Sequence, residues 1–336
     1  MQRLLTLLVA ALATLPCAAE MARADLVSLS ASVVKIEVLR AQGGYSLGSG
    51  VLVDVDKVAT NCHVTHDAKE IHVVRGDSRW LVDAQSSDVN LDLCVLQVAG
   101  VRAETVELGR TADLKLGQSL TALGFTGGIG IQHSFGDVVA LHSFGGSKVI
   151  QTTNWFSSGA SGGGLFDDDR HLVGILTFRL RGGATHYFAA PADWLRPLID
   201  DASRYRRILP LGDDIPFWQR PLVMQPNFLR AAVMERDRSW AELESLALDW
   251  SRADAGDPEP WYFKGIALTQ LNQLGAARQA LEQVVAIEPA SSAAWFRLGL
   301  LYVRLGLPER AQAATQRLHE LKPELALELA AAIEKI

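Results

Sequence analysis

The chain has 336 residues, 49% of them hydrophobic and 21% charged, with a formal net charge of -6. That length supports more than one core, since domains usually run to ~100–200 residues. An acidic balance without any Lys/Arg run argues against a general nucleic-acid binder, because phosphate contacts select clustered cations.

The first residues read as a targeting signal. Arg3 is a short positive region, and the apolar run 4–15 is shorter than the ~20 residues a bilayer span needs. Ala22-Arg23-Ala24 fits a small-x-small cleavage site, so residues 1–24 are expected to leave as a signal peptide, with Ala19 a second possible cut. No later stretch is long and apolar enough to span a membrane. The mature protein is expected to be soluble and exported to the periplasm. Of three cysteines, Cys17 departs with the signal, and Cys62 and Cys94 remain as an even pair in an oxidising compartment.

Residues 25–204 are rich in Gly and Val. Strand-like runs fall at 32–39, 50–55, 71–75, 93–98 and 171–177, separated by turn residues such as Gly43-Gly44 and Gly127-Gly128. Many short strands with frequent turns point to a barrel or sandwich. Residues 205–226 hold Pro210, Pro216, Pro221 and Pro226 and read as a linker or strap, with Phe217 and Trp218 expected to pack on something.

From residue 227 the apolar spacing becomes helical. Trp261 and Trp295, Gly265 and Gly299, Ala277 and Ala311, and Pro289 and Pro323 recur with one period. That pattern resembles the tetratricopeptide repeat, a helix–turn–helix unit of about 34 residues. Units are expected at 258–291 and 292–325, with a degenerate unit at 227–257 and a capping helix at 325–336. The glycines and alanines would let helices approach closely, and the tryptophans would fill grooves between neighbours.

Three segments of the N-terminal part carry candidate chemistry. Gly48-Ser49-Gly50-Val51-Leu52-Val53 is followed by Thr60-Asn61-Cys62-His63-Val64; next come Asp92-Leu93-Cys94-Val95-Leu96 and Gly159-Ala160-Ser161-Gly162-Gly163. Together, in the order His, Asp, Ser, they resemble the chymotrypsin-like serine peptidases, most closely the bacterial HtrA/Deg-type branch. Tyr187-Phe188-Ala189-Ala190-Pro191 is similar to that branch's F-A-I-P segment. The resemblance covers roughly residues 30–200. It implies an all-β chymotrypsin-like double barrel, followed here by the all-α repeat solenoid.

It also implies roles. A serine hydroxyl is a poor nucleophile until a base takes its proton. His63 would be that base, Asp92 would orient it, and Ser161 would attack. The backbone N–H groups of Gly159 and Ser161 would form the oxyanion hole. Ala160 and Gly164 replace the Asn and Pro of HtrA-type sequences, which suggests a freer loop that orders only with substrate. Trp155 stands where trypsins carry their specificity acid, so a Lys or Arg P1 residue is not expected. A small or medium apolar P1 residue is, with Thr177 and Phe178 offering a backbone edge to an extended substrate.

Cys94 and Asp92 share a strand face, so a Cys62–Cys94 disulfide is open, with two buried thiols as the alternative. Cys62, His63, His66 and Asp67 have ligand chemistry but no second cluster, and Gly124–Gly130 lacks the helix a phosphate loop needs, so no metal or cofactor is expected. The expected partners are protein or peptide substrates and a protein on the repeat groove, with no nucleic acid and no integral membrane segment. The competing reading is an inactive pseudo-peptidase serving as a binding scaffold.

Overall fold

The computed structural model describes residues 23–127, 130–180 and 186–334. The expected signal segment, up to residue 22, and Gly128 of the expected turn lie outside these residues.

Helix α1 (Arg23–Ser32) leads into the first sheet. Its strands are β1 (Val33–Arg40), β2 (Tyr45–Asp54), β3 (Lys57–Thr60), then, after the one-turn helix α2 (Cys62–Thr65), β4 (Ala68–Arg75), β5 (Ser78–Leu81), β6 (Ala84–Asp88) and β7 (Leu93–Gln97). Strand β1 shows why these residues extend. Val34, Ile36 and Val38 are buried on one face, while Lys35 and Glu37 pair at 2.6 Å on the other. The second group comprises β8 (Ser119–Thr126), β9 (Gly130–Phe144), β10 (Ser147–Thr152), β11 (Gly164–Phe166), β12 (Leu172–Leu180) and β13 (His186–Pro191).

The second group closes as a six-stranded barrel in the order β10-β13-β12-β11-β8-β9. The first is an eight-stranded sheet running from β14 (Arg206–Arg207), which follows helix α3 (Arg196–Asp200), through β6-β7-β3-β2-β1-β4 to β5. The expected double barrel is therefore closed by hydrogen bonds only in its second half. In the first half β14 and β5 extend the two ends of the ladder instead of meeting.

One apolar cluster runs through both halves and beyond them. Leu29, Val51, Leu93, Leu123, Phe166 and Phe188 share it with Phe217 and Phe228. This explains why β12 is buried continuously from Leu172 to Phe178 rather than alternately: both of its faces are covered.

The Pro-rich segment behaves as a strap. Arg206 and Arg207 pair with Gln85 and Ala84 of β6. Leu211 N donates to His66 O, and Phe217 N to Asn90 O. Two single-turn 3₁₀ helices, Phe217–Gln219 and Leu222–Met224, carry it to the repeat region.

That region is a run of antiparallel helices: α4 (Asn227–Arg236), α5 (Trp240–Ala253), α6 (Pro258–Gln270), α7 (Leu274–Ile287), α8 (Ser292–Arg304), α9 (Pro308–Leu321) and α10 (Pro323–Ile333). A Cβ on Gly265 would lie 2.6 Å from Leu281 Cγ, and one on Gly299 2.3 Å from Leu329 Cδ2, so both positions require close helix approach. Trp261 and Trp295 pack against the apolar clusters between neighbouring helices, Trp295 against two of them. Both are half-buried and donate backwards, to Ala255 O at 3.2 Å and Pro289 O at 3.0 Å, pinning the turn before each unit.

Residues of α4, α6, α7 and α8 face β9 and β10 of the barrel. Between them lies a cavity of about 620 Å³, whose walls include His142, Lys148, Glu259, Tyr262, Glu288 and Arg297. His142 of β9 is buried there, stacked on Phe228 of α4 at 4.3 Å and 2.9 Å from Glu259 of α6. Burial pushes the His142 imidazole down, but the Glu259 charge, with hydrogen bonding to Glu259 and Gln151 and the charge of Asp257, outweighs it and holds it above its ordinary value.

Candidate active site

The three motif segments converge where the two β units meet. Helix α2 presents His63, with Asn61 before it in extended conformation. Asp92 lies in the tight turn ahead of β7, with φ of 59°. A side chain larger than Gly rarely takes this left-handed conformation, and Asp is among the residues that tolerate it. The turn is fixed from two sides: Asp92 N donates to Val89 O, while Cys62 N and Asn61 Nδ2 donate to Asp92 O.

Asp92 is fully buried and its carboxylate is well supplied with donors. His63 Nδ1 stands 2.7 Å from Oδ2, and the His63 backbone N–H donates to Oδ1 at 2.8 Å. The carboxylate thus grips both ring and backbone of His63 and leaves Nε2 as the free face of the imidazole. A third donor comes from the strap: Trp218 Nε1 reaches Oδ2 at 3.0 Å.

Ser161 sits on the loop between β10 and β11. Its hydroxyl donates at 3.4 Å to Thr177 O, and among the described residues not to His63. Attack would require the hydroxyl to turn, as catalytic hydrogen bonds in empty sites are often long or misaligned. Ser49 of β2 makes hydrogen bonds to the loop around it. Ser49 N donates to Ser161 O, and Ser49 Oγ donates to Gly159 O and accepts from Phe125 N, each at 2.8 Å.

The loop's own hydrogen bonds orient its amides. Ser158 O accepts from Gly127 N and Ala160 O from Gly163 N, both at 2.9 Å. In a trans peptide the N–H points opposite to the C=O, so the Gly159 and Ser161 N–H groups face away from those partners. Among the described residues neither donates to a protein acceptor. Gly159 and Gly162 take φ of 96° and 87°, and a Cβ on Gly162 would lie 2.1 Å from Ser49 O. Only glycine fits there.

Cys62 and Cys94 form a disulfide, with Cα atoms 5.0 Å apart, which ties the start of α2 to β7. The chain segments of His63 and Asp92 are thereby linked covalently as well as by hydrogen bonds. The three substrate-site residues divide. Trp155 is 52% exposed, its carbonyl held by Ser134 Oγ. The Thr177 side chain turns inward, donating to Ile175 O and accepting from Asn61 Nδ2 and Ala190 N. Phe178 is buried, stacked on Phe188 at 4.7 Å and on Trp218 at 4.9 Å. Neither of these two side chains is available to a substrate; only their backbone is.

Sequence reasoning gave no role at the site to Ser49 or Asn61, and expected of Trp218 only that it would pack, as it does on Phe178. Ser49 and Asn61 lay inside motifs already quoted, so a signal was present. Trp218 lies more than a hundred residues from Asp92, and nothing in its neighbourhood announces the contact.

A sheet joined to a six-stranded antiparallel barrel, with His, Asp and Ser at the junction, defines the class of chymotrypsin-like peptidase folds. Residues 48–175 match the family model of the trypsin-like peptidase domain, and residues 252–336 match that of the tetratricopeptide repeat. A probable periplasmic serine endoprotease, DegP-like, of Halomonas elongata is 35% identical over 164 residues, covering 46% of this chain and 35% of that one. Serine protease HTRA4 of Mus musculus is 29% identical over 169 residues, covering 46% and 34%. The chain thus spans about a third of the length of these curated relatives. Among solved structures, the Rv3671c protease of M. tuberculosis in its active form aligns with a TM-score of 0.50 at 21% identity, over 61% of this chain and 97% of that one, a likeness of fold. The chain carries a trypsin-like peptidase domain with HtrA-type relatives, followed by tetratricopeptide repeats.

Proposed function

We propose that this chain is an exported serine endopeptidase that acts in the periplasm, with Ser161 as nucleophile, His63 as general base and Asp92 as the orienting acid. The observation that carries this reading is the doubly held His63–Asp92 pair, 2.7 Å from ring to carboxylate, beside a loop that presents Ser161 with two unengaged amides.

The chemistry follows from the geometry. Ser161 Oγ leaves Thr177 O and attacks the scissile carbonyl while His63 Nε2 takes its proton. The oxyanion is received by the N–H groups of Gly159 and Ser161, donors of a kind worth ~2.7–4 kcal/mol each in transition-state stabilisation. His63 returns the proton to the leaving amine, and water repeats the sequence on the acyl-enzyme. The P1 residue is small or medium and apolar, since Trp155 supplies no charge for Lys or Arg. The repeat region recruits protein substrates or partners, and its concave face, partly closed by β9 and β10, receives their segments.

The test is labelling with a fluorophosphonate probe. The wild-type protein should be labelled and Ser161→Ala should not. Labelling that survives in Ser161→Ala would move the nucleophile elsewhere. A folded wild type that resists the probe would sink the enzymatic reading.

A further inference from the structure

We infer that Trp218, supplied by the strap from outside the peptidase match, is a positioning residue for the catalytic pair; the inference rests on the triad reading above. Asp92 is completely buried, and His63 Nδ1 and Trp218 Nε1 share its Oδ2 at 2.7 and 3.0 Å. A buried carboxylate needs donors to remain ionised. The same anion must be held in place when His63 takes the serine proton, because it then balances the imidazolium. The indole N–H is a donor that cannot accept or ionise, so it fixes the rotation of the carboxylate without competing for its charge.

The same ring restrains the base. It lies edge-on to His63, with centroids 5.6 Å apart and planes at 86°, and its other contact is a stack on Phe178 at 4.9 Å and 11°. A ring packed at that distance limits the movement of the imidazole on that side. Trp218 is itself anchored. Its neighbour Phe217 is buried against Phe144 and Trp194 and donates from its backbone to Asn90 O, close to Asp92 in the chain. Gln225 Nε2 donates to both Trp218 O and Arg220 O, bracing the strap just before α4. The triad's geometry is therefore completed by a segment continuous with the repeat helices, and the barrel pair alone would present a less constrained His63–Asp92 pair.

The experiment uses the full chain and an ester substrate with an apolar P1 residue. Trp218→Phe keeps an aromatic ring between Phe178 and His63 and removes the donor. A second variant, with the indole replaced by its benzothiophene isostere, keeps the shape and removes only the N–H. Both should fold and be labelled at Ser161, yet show kcat reduced roughly ten- to a hundredfold with KM within about twofold, the pattern for an interaction that matters in the transition state. The far-downfield proton resonance of His63 Nδ1–H should shift in both. An active wild type with an isostere variant matching it in kcat and resonance would overturn the inference alone. So would a change confined to KM or to thermal stability, which marks a packing role. A wild type that is inert and unlabelled would overturn the triad reading and this inference with it.

Discussion

At the scale of single residues, the site is defined by where hydrogen-bond donors go. Asp92→Asn would keep the shape of the turn but present an amide where a carboxylate accepts from His63 twice. The expected outcome is an intact fold, checked by circular dichroism, with kcat lower by roughly four orders of magnitude, as for triads of this chemistry. Ser49→Ala tests the clamp. It leaves Phe125 N and Gly159 O without their partner in a partly buried position, which costs roughly 1 kcal/mol. Both stability in denaturant and kcat should fall, because the Ser161 loop keeps only the backbone bond from Ser49 N to Ser161 O; unchanged kcat would mean that the Ser49 hydroxyl is not needed to hold it. Ser49 was legible in the sequence as part of a motif, but its role was not, since the acceptor it serves is 110 residues away.

At the scale of elements, strand periodicity was read well where one face is wet and imperfectly where neither is. The alternation in β1 marks its core face directly, whereas β12 is buried on both faces and its end was set too early. Helix α2 is a single turn, too short for any periodicity, and is stapled to β7 by Cys62–Cys94. With the cysteines 32 positions apart, the bridge constrains the unfolded chain by roughly 3–4 kcal/mol. The Cys62→Ala, Cys94→Ala double variant should lose about that much in denaturant melts. The reduced wild type should behave like it, and equal midpoints with and without reductant would show that the bridge adds nothing. The strap illustrates the opposite limit. Its prolines predicted a break in regular structure, and the break is real, but prolines do not say what the interrupted segment packs against.

At the scale of the whole molecule, the repeat helices are docked on the second barrel through a buried ionisable contact. His142 is held above its ordinary value of 6.5 in the folded state. Such a group contributes stability that is fully present below about pH 6.5 and is lost as pH rises through the higher folded value. Asp257, at the start of α6, is pushed up to about 6 by burial and by Glu259. A raised carboxyl also favours the folded state most when protonated, and that contribution fades between 3.8 and about 6. Thermal melts of wild type and Glu259→Gln separate the two windows. Wild type should hold its advantage near pH 6 and lose it toward pH 9, as His142 gives up its proton. A gap that stays constant or widens with pH would contradict a charged His142–Glu259 contact.

The sequence by itself determined the local chemistry of this protein: the segments bearing His63, Asp92 and Ser161, the strand-rich and helix-rich halves, and the 34-residue beat of the repeats. Each of these is encoded by neighbours in the chain, through turn residues, spacing and helical period. Only the tertiary structure decided that Ser49 holds the Ser161 loop, that Trp218 reaches Asp92, that Thr177 and Phe178 turn their side chains inward, and that the repeat helices face the barrel. Those contacts join residues far apart in the chain. Their energy lies in directed hydrogen bonds and ring stacking, which depend on angstrom-scale placement and leave no periodic trace in the order of amino acids.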